Sequence, residues 1–131
     1  MGVYGVDKCG LLTSGFPGAA WAAEKPALNS ASAPFLVKSN GLGLPRAVSI
    51  ELMFLNKTTG APADPGAFEV DVQVAYTDLD GNYDTLQTIN SGLNDSFVTS
   101  VPLTAFSARF IRLFMTTLTN DVLVTANIYE A

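Results

Sequence analysis

The chain has 131 residues, 48% of them hydrophobic and only 15% charged, with a formal net charge of −5. That length suits one domain, and its seven Lys and Arg stand singly, leaving no basic stripe for nucleic acid and no polybasic patch for a membrane. With no histidine and a single cysteine, Cys9, it lacks the usual general base, the commonest transition-metal ligand and any intramolecular disulfide. So few charges leave apolar area to be hidden in a large core or against a neighbour.

Met1–Pro34 is rich in Gly, Ala, Ser and Pro and has no sustained period. Lys8 and the CGLLTSGFPGAAWAA that follows imitate a signal peptide, but Asp7, Thr13, Ser14, Gly15 and Pro17 interrupt its apolar centre. No cleaved signal and no transmembrane span are expected. Large apolar residues stand alone here: Val3, Tyr4, Val6, Leu11, Leu12, Phe16 and Trp21. Ordering such a stretch costs about 1–2 kcal/mol per residue, more than those side chains return at about 1.5–3 kcal/mol each. Backbone pairing or further burial has to supply the rest. One arrangement is an extended arm over residues 1–34, draped on its own domain or a neighbouring subunit, ahead of a sandwich over 35–131. The other is an N-terminal strand and ordinary loops of the same domain. In the first, Tyr4, Leu11, Leu12, Phe16 and Trp21 are partner-binding residues. The glycines and alanines around Phe16 and Trp21 suit anchors in a groove better than a sugar-stacking platform.

From Phe35 the pattern changes to strands. Phe35–Lys38 is a short one, closed by Gly and Pro turns. Ala47–Asn56 alternates, with Val48, Ile50, Leu52 and Phe54 inward and Ser49, Glu51, Met53 and Leu55 outward. Lys57–Gly66 is a loop whose two prolines forbid a strand. Phe68–Tyr76 puts Phe68, Val70, Val72, Val74 and Tyr76 on the core side. Tyr83–Asn90 and Ser96–Leu103 follow, separated by the turn segment Asn90–Asp95. Then come Ala108–Thr117 and Val122–Glu130, joined by Leu118-Thr119-Asn120-Asp121, which read as a hairpin. Ile111, Leu113 and Met115 share one face of the first, and Val122, Val124, Ala126 and Ile128 one face of the second. The total is about seven or eight strands without a helical period, an all-β antiparallel sandwich of jelly-roll kind.

Asp78, Asp80, Asn82 and Asp84 alternate in DLDGNYD. The spacing is that of a weak calcium loop, but Gly81 and Ile89 stand at the wrong places for an EF-hand. The competing reading is a tight hairpin with Asp80-Gly81 in a type I′ turn. On Ala108–Thr117, Phe110, Arg112 and Phe114 form an aromatic-and-Arg face, suited to a partner surface. The alternative packs them internally, with Arg112 paired to a carboxylate such as Glu51.

Two segments resemble the discoidin-like, galactose-binding-like sandwich family. VDVQVAYTDLDGNYDTLQTI, Val70–Ile89, is similar to its strand, Asp-Gly turn and returning strand; ARFIRLFMTTLTNDVLVTANIYE, Ala108–Glu130, is similar to its last two strands. The resemblance covers under half the chain. It implies an eight-stranded jelly roll whose end loops hold sugars, lipids or proteins. The chain departs from the family in having one cysteine rather than a terminal pair, and Tyr83 where the family has Trp. In style it also resembles a small capsid-decorating protein of a tailed phage: charge-poor, rich in Gly, Ala, Thr and Asn, with an arm ahead of a β domain.

No Ser, Cys or carboxylate constellation for catalysis is legible, so no enzyme and no cofactor are expected. The expected function is a virion structural subunit, a decoration or cement protein, made in the host cytoplasm. Its partners would be further copies of itself or other capsid proteins, held through the arm and an apolar sandwich face, with no nucleic acid and no membrane. The alternative is a carbohydrate-binding module using loops such as Lys57–Gly66 or Asn90–Asp95.

Overall fold

Period-two alternation sets most of the strands, and in the computed structural model residues 18–37, 48–91 and 98–130 are described. They form β1 (Gly18–Glu24), β2 (Ser30–Ala31), β3 (Phe35–Leu36), β4 (Val48–Leu55), β5 (Phe68–Ala75), β6 (Asp84–Asn90), β7 (Val98–Pro102), β8 (Phe110–Leu118) and β9 (Leu123–Glu130). A short 3-10 turn, Asp80–Asn82, lies between β5 and β6. The strands make two antiparallel sheets, one ordered β1-β9-β4-β7 and the other β2-β8-β5-β6, with β3 also on β8. The fold is an all-β antiparallel sandwich.

The pairings nest. β1 lies on β9, β2 and β3 on β8, β4 on β7, and β5 on β6. The chain is thus one long hairpin, bent over at its tip between β5 and β6 and then rolled up. Rolling adds two further ladders, β4 on β9 and β5 on β8, which close the two sheets. That order is the jelly roll's, which protects most edges by winding two Greek keys together.

The inward faces meet in a single core. β4 contributes Val48, Ile50, Leu52 and Phe54, alternating strictly with half-buried neighbours. Val70 and Val72 of β5, Ile111, Leu113 and Met115 of β8, and Val124, Ala126 and Ile128 of β9 are also fully buried. Phe54 and Phe68, from opposite sheets, pack with ring centroids 4.6 Å apart. The inward assignments on β4, β8 and β9 stand as the alternation predicts.

Four expectations are corrected. β8 and β9 are not a hairpin: they lie in different sheets, and residues 119–122 carry the chain across the core. Leu118 and Val122 are both buried, so the connection is pulled under the sandwich instead of turning back within one sheet. Tyr76 lies beyond the end of β5 and is 63% exposed rather than inward. Asp80-Gly81 forms no type I′ turn, because Gly81 has no positive φ and the segment winds as a 3-10 turn. Trp21, expected as an anchor for a neighbour, is 3% exposed within the chain's own core.

Where the sequence suggests a division at residue 34, residues 18–34 enter both sheets. β1 pairs with β9 and β2 with β8, while Ser32 accepts the Leu113 amide on its hydroxyl at 3.0 Å. These strands supply the backbone pairing that the entropy of ordering demands. Tyr4, Leu11, Leu12 and Phe16 lie outside the described residues.

Candidate functional site

The aromatic-and-Arg face of β8 and the acidic DLDGNYD segment, read separately in the sequence, are one site. Alternation puts Arg112 on the outer side of its sheet, directly across from Gln73 of β5. Its Nε donates to Gln73 Oε1 at 2.8 Å, and its Nη1 donates to Asp80 Oδ1 at 2.7 Å. The guanidinium lies 3.8 Å from the centre of the Tyr83 ring. The Tyr83 hydroxyl in turn donates to Asp78 Oδ1 at 2.8 Å.

Arg112 is only 8% exposed, although it faces outward, because the β5–β6 tip folds down over it. An outward cation thereby becomes a buried one, held by a carboxylate, an amide oxygen and an aromatic face together. The tip is fastened to a central strand. Burial first, and then the neighbouring Asp78 carboxylate, push the Tyr83 hydroxyl well above its usual pKa.

This arrangement disposes of the expected Arg112–Glu51 pair. Glu51 lies in the other sheet, where its Oε1 accepts from Asn127 Nδ2 at 3.0 Å and from the Tyr129 hydroxyl at 3.3 Å. It bears equally on the calcium loop. Asp78 and Asp80 are turned to Tyr83 and Arg112, Asn82 and Asp84 stay exposed, and no metal-binding group of three acidic, Cys or His side chains forms among the described residues. Nothing in the sequence marks Gln73 and Tyr83 in particular as Arg112's partners. The only signal for them was that an Arg amid apolar strand residues requires partners.

Phe110 and Phe114 stay half-buried on the outer face of β8. Leu36 of β3 stands opposite Phe110 and is 40% exposed. Arg109 lies 5.9 Å from the Phe110 ring centre. Ala75 pairs with Phe110 from the other side, and beyond it Tyr76 and Leu79 are largely exposed. Leu36 and Phe110 thus set apolar side chains beside each other on the outer side of this sheet, and Tyr76 and Leu79 expose further apolar surface in the segment after β5, past the buried Ala75. The outer face of the other sheet is mixed: Glu51, Asn127 and Tyr129 at one end, half-buried Met53, Leu55 and Leu123 at the other.

At the far end of the sandwich the loops are tied mainly to themselves. Asn56 Oδ1 accepts from the amides of Thr58 and Thr59, and Asp64 Oδ1 from that of Gly66. Asp121 accepts from Lys25 at 2.8 Å and also from Lys57, which holds its carboxyl down at about 2. Much of the polar chemistry that a sugar would need from Lys57–Gly66 is already used by the loop's own turns. The turn segment Asn90–Asp95 lies mostly outside the described residues.

No family model, no curated protein and no solved structure matches the chain.

Proposed function

We propose that this protein is a non-enzymatic structural subunit, of the kind that decorates or cements a virion shell, and that it associates through an apolar sandwich face. The observation that carries this reading is the exposure of the large apolar side chains Leu36, Tyr76 and Leu79, with half-buried Phe110 paired beside Leu36. A chain with 15% charged residues spends exposed surface there on large apolar side chains. Surfaces of that composition, rimmed by polar groups, mark places where partners dock. The conversion of Arg112 into an internal fastener fits a structural role, since its charge is spent on holding the tip.

The test is the mass of the native species in solution against the 13.8 kDa chain, with a Leu36→Lys, Phe110→Ser double variant beside it. A multimer, or binding to a capsid shell, that the double variant loses while keeping its melting profile supports the reading. A monomer with no affinity for any shell removes it. A discoidin-like carbohydrate-binding module is the rival, and a glycan array on the same sample separates the two.

A further inference from the structure

Resting on the assembly reading, we infer that β6 is the edge through which two copies of this chain pair, antiparallel and about a twofold axis. The two sheets present four edges, and three of them are blunted. β1 suffers two register shifts against β9, and Ala23 adopts a φ of 51° while its amide turns to the Thr125 hydroxyl. β2 and β3 are two residues each, parted by a segment that contains Pro34. β7 has five residues and ends on Pro102, which has no N–H to offer.

β6 differs. It runs seven residues, and between Thr85 and Asn90 it carries no charge, no proline and no glycine. Its one irregularity is the extra residue Leu86, after which Gln87 to Asn90 pair without a break with Val72 to Glu69. The Ser91 amide donates to the Phe68 carbonyl at 3.2 Å, which sets the phase of the ladder. Ile89 and Gln87 then turn their backbone groups to β5, and Thr88 turns its N–H and carbonyl away from the sheet. Among the described residues, no strand other than β5 lies on β6.

Charge selects the occupant. In a chain of net charge −5, most surfaces oppose a second copy, but between Thr85 and Asn90 this strand carries no ionisable side chain of its own, and the nearest carboxylate at its centre, Asp71 of β5, is engaged by the Thr88 hydroxyl at 2.8 Å. Centred on Thr88, the pairing sets threonine opposite threonine, a favourable cross-strand pair. It also sends the two Asp84 side chains to opposite ends of the ladder, about 25 Å apart by strand rise. Cross-strand partners share a face, so the outer faces of both copies, each with its Leu36 and Phe110, would lie on the same side of one continuous sheet.

The test is sedentimation or light-scattering mass of the full chain across a concentration series, for wild type, Thr88→Val, Thr88→Pro and Thr88→Lys. Thr88→Val removes the hydroxyl bonded to Asp71 at 2.8 Å but keeps the edge amide, and is expected to retain the wild-type dimer. Thr88→Pro deletes an amide that β5 does not use, and Thr88→Lys sets two cations face to face. Each is expected to weaken the dimer at least tenfold while melting near the Thr88→Val control. Should proline prevent folding, lysine carries the test. A wild-type multimer that the folded Pro or Lys variants leave intact overturns the edge and spares the assembly reading. A wild type that is monomeric throughout overturns the edge, and it overturns the assembly reading as well only when it also shows no affinity for a capsid shell.

Discussion

The two ends of the sandwich are secured by opposite means. At the tip end, one nearly buried guanidinium gathers Gln73, Asp80 and Tyr83 and holds the β5–β6 turn against β8. At the far end, the connections following β1, β4 and β8 are joined by exposed pairs and local turns, with Asp121 between Lys25 and Lys57. Both ends use a carboxylate and a cation. What separates them is water: a charge removed from solvent must be fully compensated, and losing a partner there is costly, whereas exposed pairs are screened and contribute little.

Arg112→Ala is the largest break. It empties a packed site and leaves Gln73 and Asp80 without their donor, so urea unfolding should show a loss of about 2–4 kcal/mol. Asp80→Ala should cost a fraction of that, since its side chain is 96% exposed and Gln73 and the Tyr83 ring still hold the guanidinium. Equal losses from the two would contradict a fastener centred on Arg112.

Gly66→Ala is next, and it probes the far end through backbone rather than charge. Gly66 has a φ of 70°, and a Cβ there would fall on Thr119 Oγ1, the same hydroxyl that accepts from the Ala67 amide. A loss of about 2 kcal/mol is expected. Gly60→Ala shares the positive φ but meets open space, so only the cost of the left-handed backbone, about 1 kcal/mol, should appear. Calorimetry on both variants separates collision from conformation.

pH sharpens the contrast further. Tyr83 is raised in the folded state, so folding favours its neutral form. That contribution is fully present below the usual tyrosine value of about 10 and is lost as pH climbs beyond it. In a phenolate absorbance titration, Tyr83 should be among the last of the four tyrosines to ionise, and Tyr83→Phe should delete that late component.

The smallest effect belongs to Asp121. Its carboxyl is lowered to about 2, so its contribution is present above the usual carboxylate value and disappears as pH falls towards 2. Because the site is exposed, Asp121→Asn should barely move the neutral-pH melting temperature, and high salt should erase what difference there is.

Much of the fold was legible from alternation. Val48, Ile50, Leu52 and Phe54 could only share a face if β4 was a strand, and the same holds for Ile111, Leu113 and Met115 on β8. Tyr76 misled because alternation does not say where a strand stops, and β5 ends one residue earlier. The Asp80-Gly81 pair misled because turn chemistry is shared by several turn types, and the pull of Arg112 on Asp80 accompanies a different one.

Sequence alone determined the class of the fold and most of its core, because side-chain period and burial are set by neighbours one and two residues apart. Tertiary structure alone decided that the last two strands belong to different sheets, and that Arg112 meets Asp80 across 32 residues of chain. It decided too that the sheet edges differ in how they are closed. Those outcomes follow from how a long hairpin rolls on itself, and rolling depends on distant backbone partners that no local pattern records.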